Sequence, residues 1–359
     1  MTNTASVAAS LLLGAAASQP AFAADHPLSI SGYLEPYYAW DSARPRDHER
    51  PPFLYNFDRA GEVDVNLALL RAAYDGARFR AAGGLAVGSY MDTNYAAEPS
   101  GWQNVFEASV GLRLRPDADL WLDAGVFPSH LGFESAIGAD NWALTRSLAA
   151  ENSPYYEAGL KLGYRTPDGR WFVSGLLLQG WQRINRVDGN DTPAFGLQVT
   201  WQPSQSFAVN YSSFIGSDQP DDERRMRYFH NLYGTFRLSP SWDLTVGLDV
   251  GAEQVAKGSS SYHHWVTPQV VVRHSVSDRL KLAGRVEYYD DRNGVIISPT
   301  GAGFRTLGFS VNVDYAFRDN VLGRLEARTF ASREPVFTER DGSLADGNTA
   351  VTASLAVSF

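Results

Sequence analysis

The chain has 359 residues, 44% of them hydrophobic and 13% aromatic, and it carries a formal net charge of −9. The aromatic content excludes a disordered chain, and the acidic balance argues against a nucleic-acid partner, which requires a basic face. The lack of cysteine excludes disulfide frameworks and thiol chemistry, and no stretch after residue 23 is apolar over 18 or more residues, which excludes a helical membrane protein.

The first 23 residues have the pattern of a secretory signal peptide. Residues 7–18 form an apolar run that is too short to cross a bilayer, and Ala21-Phe22-Ala23 follows as a small-x-small cleavage site. The residues before this run lack Lys and Arg, which departs from the usual basic start of such a signal. We therefore expect a signal peptide over 1–23 and an exported domain over 24–359.

The exported part has one texture throughout, in which apolar side chains alternate with small or polar ones. In the last segment, Val351, Ala353, Leu355, Val357 and Phe359 share one face, and the residues between them are all Ala, Ser or Thr. This two-residue period is that of a β-strand with two different faces. We predict sixteen such strands, with fourteen as the alternative count: 28–40, 59–74, 77–90, 102–115, 119–127, 154–166, 170–182, 193–202, 206–216, 227–239, 242–254, 263–275, 278–290, 303–317, 320–331 and 348–359.

The connections between these segments alternate between short and long. The short ones carry turn residues, as in Asp75-Gly76 and Pro167-Asp168-Gly169. The long ones are 41–58, 91–101, 128–153, 183–192, 217–226, 255–262, 291–302 and 332–347. Strict alternation of short and long connections is expected of an up-and-down barrel that has an even number of strands and both chain termini at the same end.

The polar face of these strands is rich in Gly, Ser, Thr and charged residues, so it is too small and too polar to pack a core. A soluble β-sandwich or lipocalin-like barrel, the alternative, would turn the apolar face inward. An outer-membrane barrel places the apolar face toward lipid and the polar face toward a wet lumen, and its closure satisfies every strand edge. We therefore predict an all-β, transmembrane, antiparallel up-and-down β-barrel with long external and short periplasmic loops, in the bacterial outer membrane.

The terminal Phe359, with Val357 and Leu355 at two-residue steps before it, resembles the C-terminal signal through which the insertion machinery recognises outer-membrane barrels. The wider chain resembles the β-barrel porin-2 (OmpL-like) family, from Gly32-Tyr33-Leu34-Glu35-Pro36-Tyr37-Tyr38 to the final Phe. The resemblance is strongest around Gly132-Phe133-Glu134, Asn141, Thr145-Arg146-Ser147 and Pro154-Tyr155-Tyr156-Glu157-Ala158-Gly159. It implies an outer-membrane channel, and it supplies no catalytic residues.

Charged residues on the polar face are expected to line the lumen, because an Arg or Lys turned toward lipid at the midplane would cost about 2–4 kcal/mol. Basic and acidic residues are nearly equal in number on this face, so the net charge of the lumen wall is close to zero. Two interpretations are open: the charges filter solutes, or they form salt bridges that brace the wall. The main candidates for the lumen wall are Glu157, Lys161, Arg273, Arg285, Glu287, Arg324, Glu326 and Arg328.

The third long connection, 128–153, is the longest, and general porins fold their third external loop into the lumen as a constriction. We predict the same for this loop, with a short helix over about 141–150. An exposed surface loop is the alternative. The candidate constriction residues are Glu134, Asp140, Arg146 and Glu151.

We expect a porin that forms a water-filled diffusion channel for small hydrophilic solutes. One alternative is a substrate-specific channel, whose inward aromatic residues would make a sliding surface: Phe172, Phe214, Phe229, Tyr233, Tyr289 and Phe330. The other is a closed barrel whose external loops bind a partner.

No enzyme is expected, because the seven His are scattered and neither a Gly-x-Ser-x-Gly nor a His-Glu-x-x-His motif occurs. No cofactor or metal site is expected either. The expected partners are outer-membrane lipid, the barrel-insertion machinery and small hydrophilic solutes, with a homotrimer left open and nucleic acid excluded.

Overall fold

The computed structural model describes residues 27–359, so the predicted signal peptide over 1–23 lies outside the described residues. Eighteen strands follow one another in this range, and sixteen of them close into one antiparallel barrel. The barrel strands are β1 (Leu28–Asp41), β2 (Val63–Asp75), β3 (Phe79–Val87), β4 (Val105–Arg113), β5 (Asp119–Pro128), β6 (Tyr156–Arg165), β7 (Trp171–Leu178), β8 (Ala194–Ser204), β9 (Phe207–Gly216), β10 (Arg227–Ser239), β11 (Trp242–Gln254), β12 (Tyr262–Ser275), β13 (Leu280–Asp291), β14 (Phe304–Arg318), β15 (Val321–Ser332) and β18 (Gly347–Ser358).

The predicted count of sixteen barrel strands is confirmed, and the alternative count of fourteen is wrong. Each strand pairs with its neighbour in sequence, except that β15 pairs with β18 across a small hairpin, and β1 pairs with β18 to close the barrel. That hairpin, β16 (Phe337–Thr338) and β17 (Leu344–Ala345), stands apart in the last long loop and was not predicted.

The two-residue period sorts the side chains as predicted. Along β14, Val311 and Val313 point outward and are exposed, whereas Asn312 and Asp314 point inward and are buried. The same alternation runs through the other barrel strands, with apolar side chains on the outer surface. We call the end that carries the long loops the external end, and the end that carries the short turns the periplasmic end.

Several predicted strands were too long: the strand predicted over 59–74 begins only at Val63, and the one predicted over 170–182 ends at Leu178. The segment 77–90 ends as a strand at Val87, and a short helix, α1 (Ser89–Asn94), begins directly afterwards. The reason is Gly88, whose φ of +123° breaks the strand and whose Cβ position would lie 2.6 Å from the Val65 carbonyl oxygen. Only glycine fits there.

The helix predicted over about 141–150 is also wrong in extent. A 3₁₀ turn spans Gly138–Asp140, and one helical turn, α2 (Leu148–Glu151), follows. The Ser147 hydroxyl caps α2 by accepting a hydrogen bond from the Ala150 amide at 3.2 Å. No helix within residues 27–359 is long and apolar enough to cross a membrane.

Candidate permeation pathway

Loop 3 (129–155) lies inside the barrel, against the inner wall formed by β13, β14 and β15. Its backbone is held there by inward side chains: Asn312 Oδ1 accepts from the Leu144 amide at 3.1 Å, and the Arg285 guanidinium donates to the Thr145 carbonyl at 2.7 Å. Arg324 donates to the carbonyls of Gly138, at 2.6 Å, and Asn141, at 2.9 Å. The loop is therefore attached to the wall at several points along its length.

Two carboxylates of the wall each join an arginine to the loop. Glu287 accepts from Arg328 with Oε1, at 2.6 Å, and from the Leu148 amide with Oε2, at 2.5 Å. Glu326 repeats this arrangement with Arg285, at 3.0 Å, and the Thr145 amide, at 2.5 Å. We call these four wall residues, Arg285, Glu287, Glu326 and Arg328, the brace cluster.

The brace cluster is fully buried, since its members are no more than 3% exposed. Breaking a buried pair by removing one partner typically costs about 3–5 kcal/mol, because a buried charge is left unpaired. Arg324, also buried, pairs in the same way with Asp314 at 2.8 Å. For these five wall residues, the structure therefore favours the interpretation in which charges brace the wall over the one in which they meet solutes.

The four predicted constriction residues lie together in loop 3, but three of them face protein. Arg146 is fully buried and donates to three backbone carbonyls, those of Ser135, Ala136 and Leu144. Glu134 accepts from the Ser147 amide at 3.1 Å. Arg146 therefore fixes the internal shape of the loop instead of presenting its charge to the lumen.

Glu151 joins loop 3 to loop 1 (42–62). Its Oε2 accepts hydrogen bonds from the Tyr55 amide, at 2.9 Å, and the Asn56 side-chain amide, at 3.1 Å, while Oε1 is buried with no hydrogen-bond partner among residues 27–359. Burial raises the pKa of this carboxyl to about 7. Asp140 is the predicted constriction residue that is exposed.

The start of loop 3 is fixed by a buried imidazole. His130 Nδ1 lies 2.9 Å from both Glu157 oxygens, and Nε2 lies 2.9 Å from the Ser213 carbonyl oxygen. Burial lowers the His130 pKa, but the Glu157 carboxylate outweighs that effect and the pKa is raised. Glu157, predicted to line the wall, is thus the buried partner of a loop residue. Gly196 leaves room for the ring, since a Cβ there would lie 2.7 Å from it.

Two predicted wall residues, Lys161 and Arg273, lie nearer the periplasmic end and remain partly exposed. The Arg273 guanidinium pairs with Asp243 at 2.8 Å and lies 4.5 Å from the centre of the Trp142 ring in loop 3. Between loop 3 and the wall at β10–β12 is a cavity of about 30 Å³. That volume holds about one water molecule.

A large apolar cluster, which was not predicted from the sequence, fills the lumen at the external end. Loop side chains reach into the barrel and meet inward aromatic side chains of the strands: Phe53 lies 4.8 Å from Phe304, and Trp181 lies 5.0 Å from Phe214 and 4.9 Å from Phe229, between ring centres. We call this group the mouth cluster; its members include Phe53, Leu54, Leu148, Trp181, Phe214, Phe229, Tyr289, Ile297, Phe304, Phe330, Val336 and Phe337.

A signal for the mouth cluster was present in the sequence. Loops in water are polar, yet the long connections here carry apolar runs such as Phe53-Leu54, Val295-Ile296-Ile297 and Val336-Phe337. The aromatic sliding surface, the alternative given above, is not supported, because its rings are covered by other side chains. Five of its six aromatic residues are buried at 3% exposure or less, and Phe172 alone of the six is partly exposed.

The chain terminus completes the barrel wall. Phe359 points outward, and its backbone exchanges two hydrogen bonds with Gly32 of β1, at 2.8 and 3.0 Å. The ring lies directly over Gly32, where a Cβ would come within 2.2 Å of it. A side chain at this position of β1 would displace the Phe359 ring.

The described residues bring no metal-ligating side chains together as a cluster. His263 and His264 are neighbours in β12, so they point to opposite faces of the wall. Among residues 27–359, no group of three or more His, Asp and Glu side chains is placed to hold a metal ion.

A closed sixteen-stranded barrel with an apolar exterior, a charged interior and a folded third loop defines an outer-membrane porin. The chain belongs to the family described as "Putative beta-barrel porin-2, OmpL-like", whose model matches residues 27–359. It is thus a porin, a diffusion channel of the bacterial outer membrane, and the expected resemblance is confirmed.

Solved structures support the same fold at low sequence identity. The anion-selective porin from Comamonas acidovorans is 10% identical, with a TM-score of 0.60 over 92% of this chain and 99% of that one. The trimer form of OmpT, an outer-membrane protein of Vibrio cholerae, is 11% identical with a TM-score of 0.59 over 92% and 99%. The outer-membrane channel DcaP of Acinetobacter baumannii is 12% identical with a TM-score of 0.56 over 92% and 97%. A search of the curated proteins found none that matches.

Proposed function

We propose that this porin is a narrow channel for small hydrophilic solutes, with loop 3 and the mouth cluster setting its width. The observation that carries the proposal is the attachment of loop 3 inside the barrel through the brace cluster and Arg324. A loop tied at several points inside the lumen reduces its cross-section permanently. Asp140 and Trp142, which keep exposed surface on this loop, are the constriction side chains that a passing solute would meet.

The test is single-channel conductance of the refolded protein in a planar bilayer, with polymers of graded size added to measure the pore. We expect small, stable steps that are unaffected by polymers too large to enter. Large steps like those of a wide-open pore would contradict the narrow channel. Correct folding is checked first by the mobility shift on heating that folded barrels show in gels.

The mouth cluster favours a second candidate function, a closed barrel whose external loops bind a partner. Phe53, Trp181 and Phe337 are buried from three different loops, so the lumen is filled with apolar side chains at this level. If the correctly folded barrel shows no conductance in the bilayer, the result would support the closed barrel and exclude the narrow channel.

We propose that Phe359 is the signal read by the insertion machinery and that outer-membrane lipid covers the apolar exterior. The exposed, outward position of Phe359 at the end of β18 supports this role. Phe359→Ala should lower the amount of folded barrel in the outer membrane while the purified variant still refolds in detergent. Normal assembly in the cell would argue against the signal.

A homotrimer is also proposed, because a related fold is described in a trimer form. Chemical cross-linking in native membranes should give a band at three times the monomer mass, and a monomer band alone would argue against it. An enzymatic role is not proposed.

A further inference from the structure

We infer that the periplasmic half of the lumen makes this porin select for anions. The inference rests on the proposed channel function. The overall charge of −9 and the near balance of the lumen charges give no hint of this preference. It follows instead from which charged atoms reach the water.

Arginines in this half lie over the carboxylates that they pair with. Arg80 binds both oxygens of Asp123, at 2.7 and 2.6 Å, and its side chain is 36% exposed against 8% for the aspartate. Arg71 is 22% exposed over Glu107, which is 4% exposed. The positive member of each pair therefore faces the lumen, and the negative member is hidden behind it.

On the opposite wall, one carboxylate serves two arginines. Asp243 is 7% exposed and lies between Arg237, which is 32% exposed, and Arg273, which is 21% exposed. Two positive charges here face water over a single buried negative charge.

Two lysines lie beside carboxylates whose two oxygens are already bonded to an arginine. Lys161 is opposite Asp123 in register, but Arg80 holds both oxygens of that aspartate. Lys281 is opposite Asp314, and Arg324 holds both of its oxygens, at 2.8 and 3.0 Å. Within residues 27–359, no carboxylate oxygen lies within 4 Å of either ammonium group, and the Lys161 ammonium instead lies 4.8 Å from the centre of the Phe127 ring.

Arg113 adds a further base, because it donates to the Ala118 carbonyl at 2.9 Å and to no carboxylate within residues 27–359. The strands of this half thus present seven partly exposed bases over three buried carboxylates, while Arg324 pairs with Asp314 and a further carboxylate, Glu35, is buried beside the Gly138 backbone. Loop 3 contributes one exposed carboxylate, Asp140, so the bases still outnumber the acids by eight to six. The rim below carries both signs: Arg165 lies 3.8 Å from Asp119, and Arg115 lies 2.6 Å from Asp117. Low-dielectric walls focus the field of such a surplus into the lumen and concentrate counter-ions of the opposite sign. The ligand class is therefore small anions, such as chloride and solutes bearing carboxylate or phosphate groups.

The experiment is the reversal potential of the channel in a planar bilayer with a potassium chloride gradient. For the unmodified protein we expect a sign that reports chloride as the more permeant ion. Lys161→Gln with Lys281→Gln should lower the ratio of chloride to potassium permeability at least twofold. The matched control is Lys257→Gln, which removes the same charge from an exposed external turn and should leave the ratio unchanged.

The possible outcomes distinguish a failure of the anion preference from a failure of the channel function. A conducting channel with zero or potassium-type reversal potential overturns the anion preference and leaves the channel function intact. A folded barrel without conductance overturns the channel function itself. An equal fall of the ratio in the control would mean that bulk charge, and not these lysines, sets selectivity. If the double variant does not fold, the two single variants carry the test.

Discussion

The two halves of the lumen use the same residue types in opposite ways. In the brace cluster, arginine and glutamate are both buried, and the second carboxylate oxygen of each glutamate accepts a hydrogen bond from a loop 3 amide. In the periplasmic half, arginine stays partly exposed and only the carboxylate is buried, as with Arg80 and Asp123. Pairing alone therefore says little about the role of a lumen charge; the exposure of each partner decides it.

The first prediction concerns Arg285→Ala, which breaks the brace cluster. Glu287, Glu326 and Glu134 lose a cation that lies within 4 Å of each of them while fully buried, so the free energy of unfolding should fall by about 3–5 kcal/mol. Equilibrium urea unfolding in lipid vesicles measures this, and single-channel current should become larger and noisier as loop 3 detaches. The control is Arg292→Ala, whose partner Asp290 lies at the exposed external rim, and its effect should be much smaller. Equal stability of the two variants would mean that the cluster does not hold the loop.

The second prediction tests the apolar filling at the external end. Phe53→Ala removes a ring that packs on Phe304 and Phe337, which should cost about 3 kcal/mol and raise conductance severalfold as the mouth cluster loosens. Phe309→Ala is the matched control, since its ring points outward to lipid. The control should leave conductance unchanged, and an unchanged conductance in Phe53→Ala would show that the mouth cluster does not limit the current.

The third prediction uses pH to loosen the contact between loops 1 and 3. The Glu151 pKa is raised to about 7, so this residue binds a proton in the folded state that it has lost in the unfolded state at pH 5–7. Its stabilising contribution is complete below its ordinary pKa and is lost as the pH rises through about 7, by between about 1 and 3 kcal/mol. Unfolding measured at pH 5 and pH 8 should therefore differ less in Glu151→Gln than in the unmodified protein. Identical differences in the two proteins would exclude Glu151 as the source.

The fourth prediction has the smallest effect on stability. Asp123→Asn removes the carboxylate beneath Arg80, which is partly exposed, so the free energy of unfolding should change by less than about 1 kcal/mol. The preference for chloride should rise, because the guanidinium charge is no longer offset. A destabilisation as large as that of Arg285→Ala would mean that the two halves of the lumen do not differ in the way described.

The strand pattern was predictable because lipid and lumen impose opposite chemistry on alternate residues. That constraint places Val311 outward and Asn312 inward without any knowledge of their neighbours. Strand ends were less predictable, since they depend on single backbone conformations such as that of Gly88.

The roles of the charged residues could not be predicted from the same pattern. Besides Asp314, Arg324 bonds to the carbonyls of Gly138 and Asn141, more than 180 positions away in the chain, and a carbonyl leaves no mark in the sequence. The alternation of side chains along a strand correctly places Lys161 and Glu157 inside the barrel. It cannot show that Lys161 reaches water and that Glu157 is buried against His130.

The seam between β1 and β18 has a consequence for how the barrel forms. Nearly every other pairing joins strands that are adjacent in sequence, whereas the seam joins residues such as Asp41 and Asn348, which are 307 positions apart. Closing so long a chain costs about 3 kcal/mol more conformational entropy than closing a connection of ten residues. Local hairpins should therefore form first, and the slow step of folding should be the pairing of β1 with β18. Gly32 and Phe359 lie at this last junction, so a partly folded barrel should stay open there.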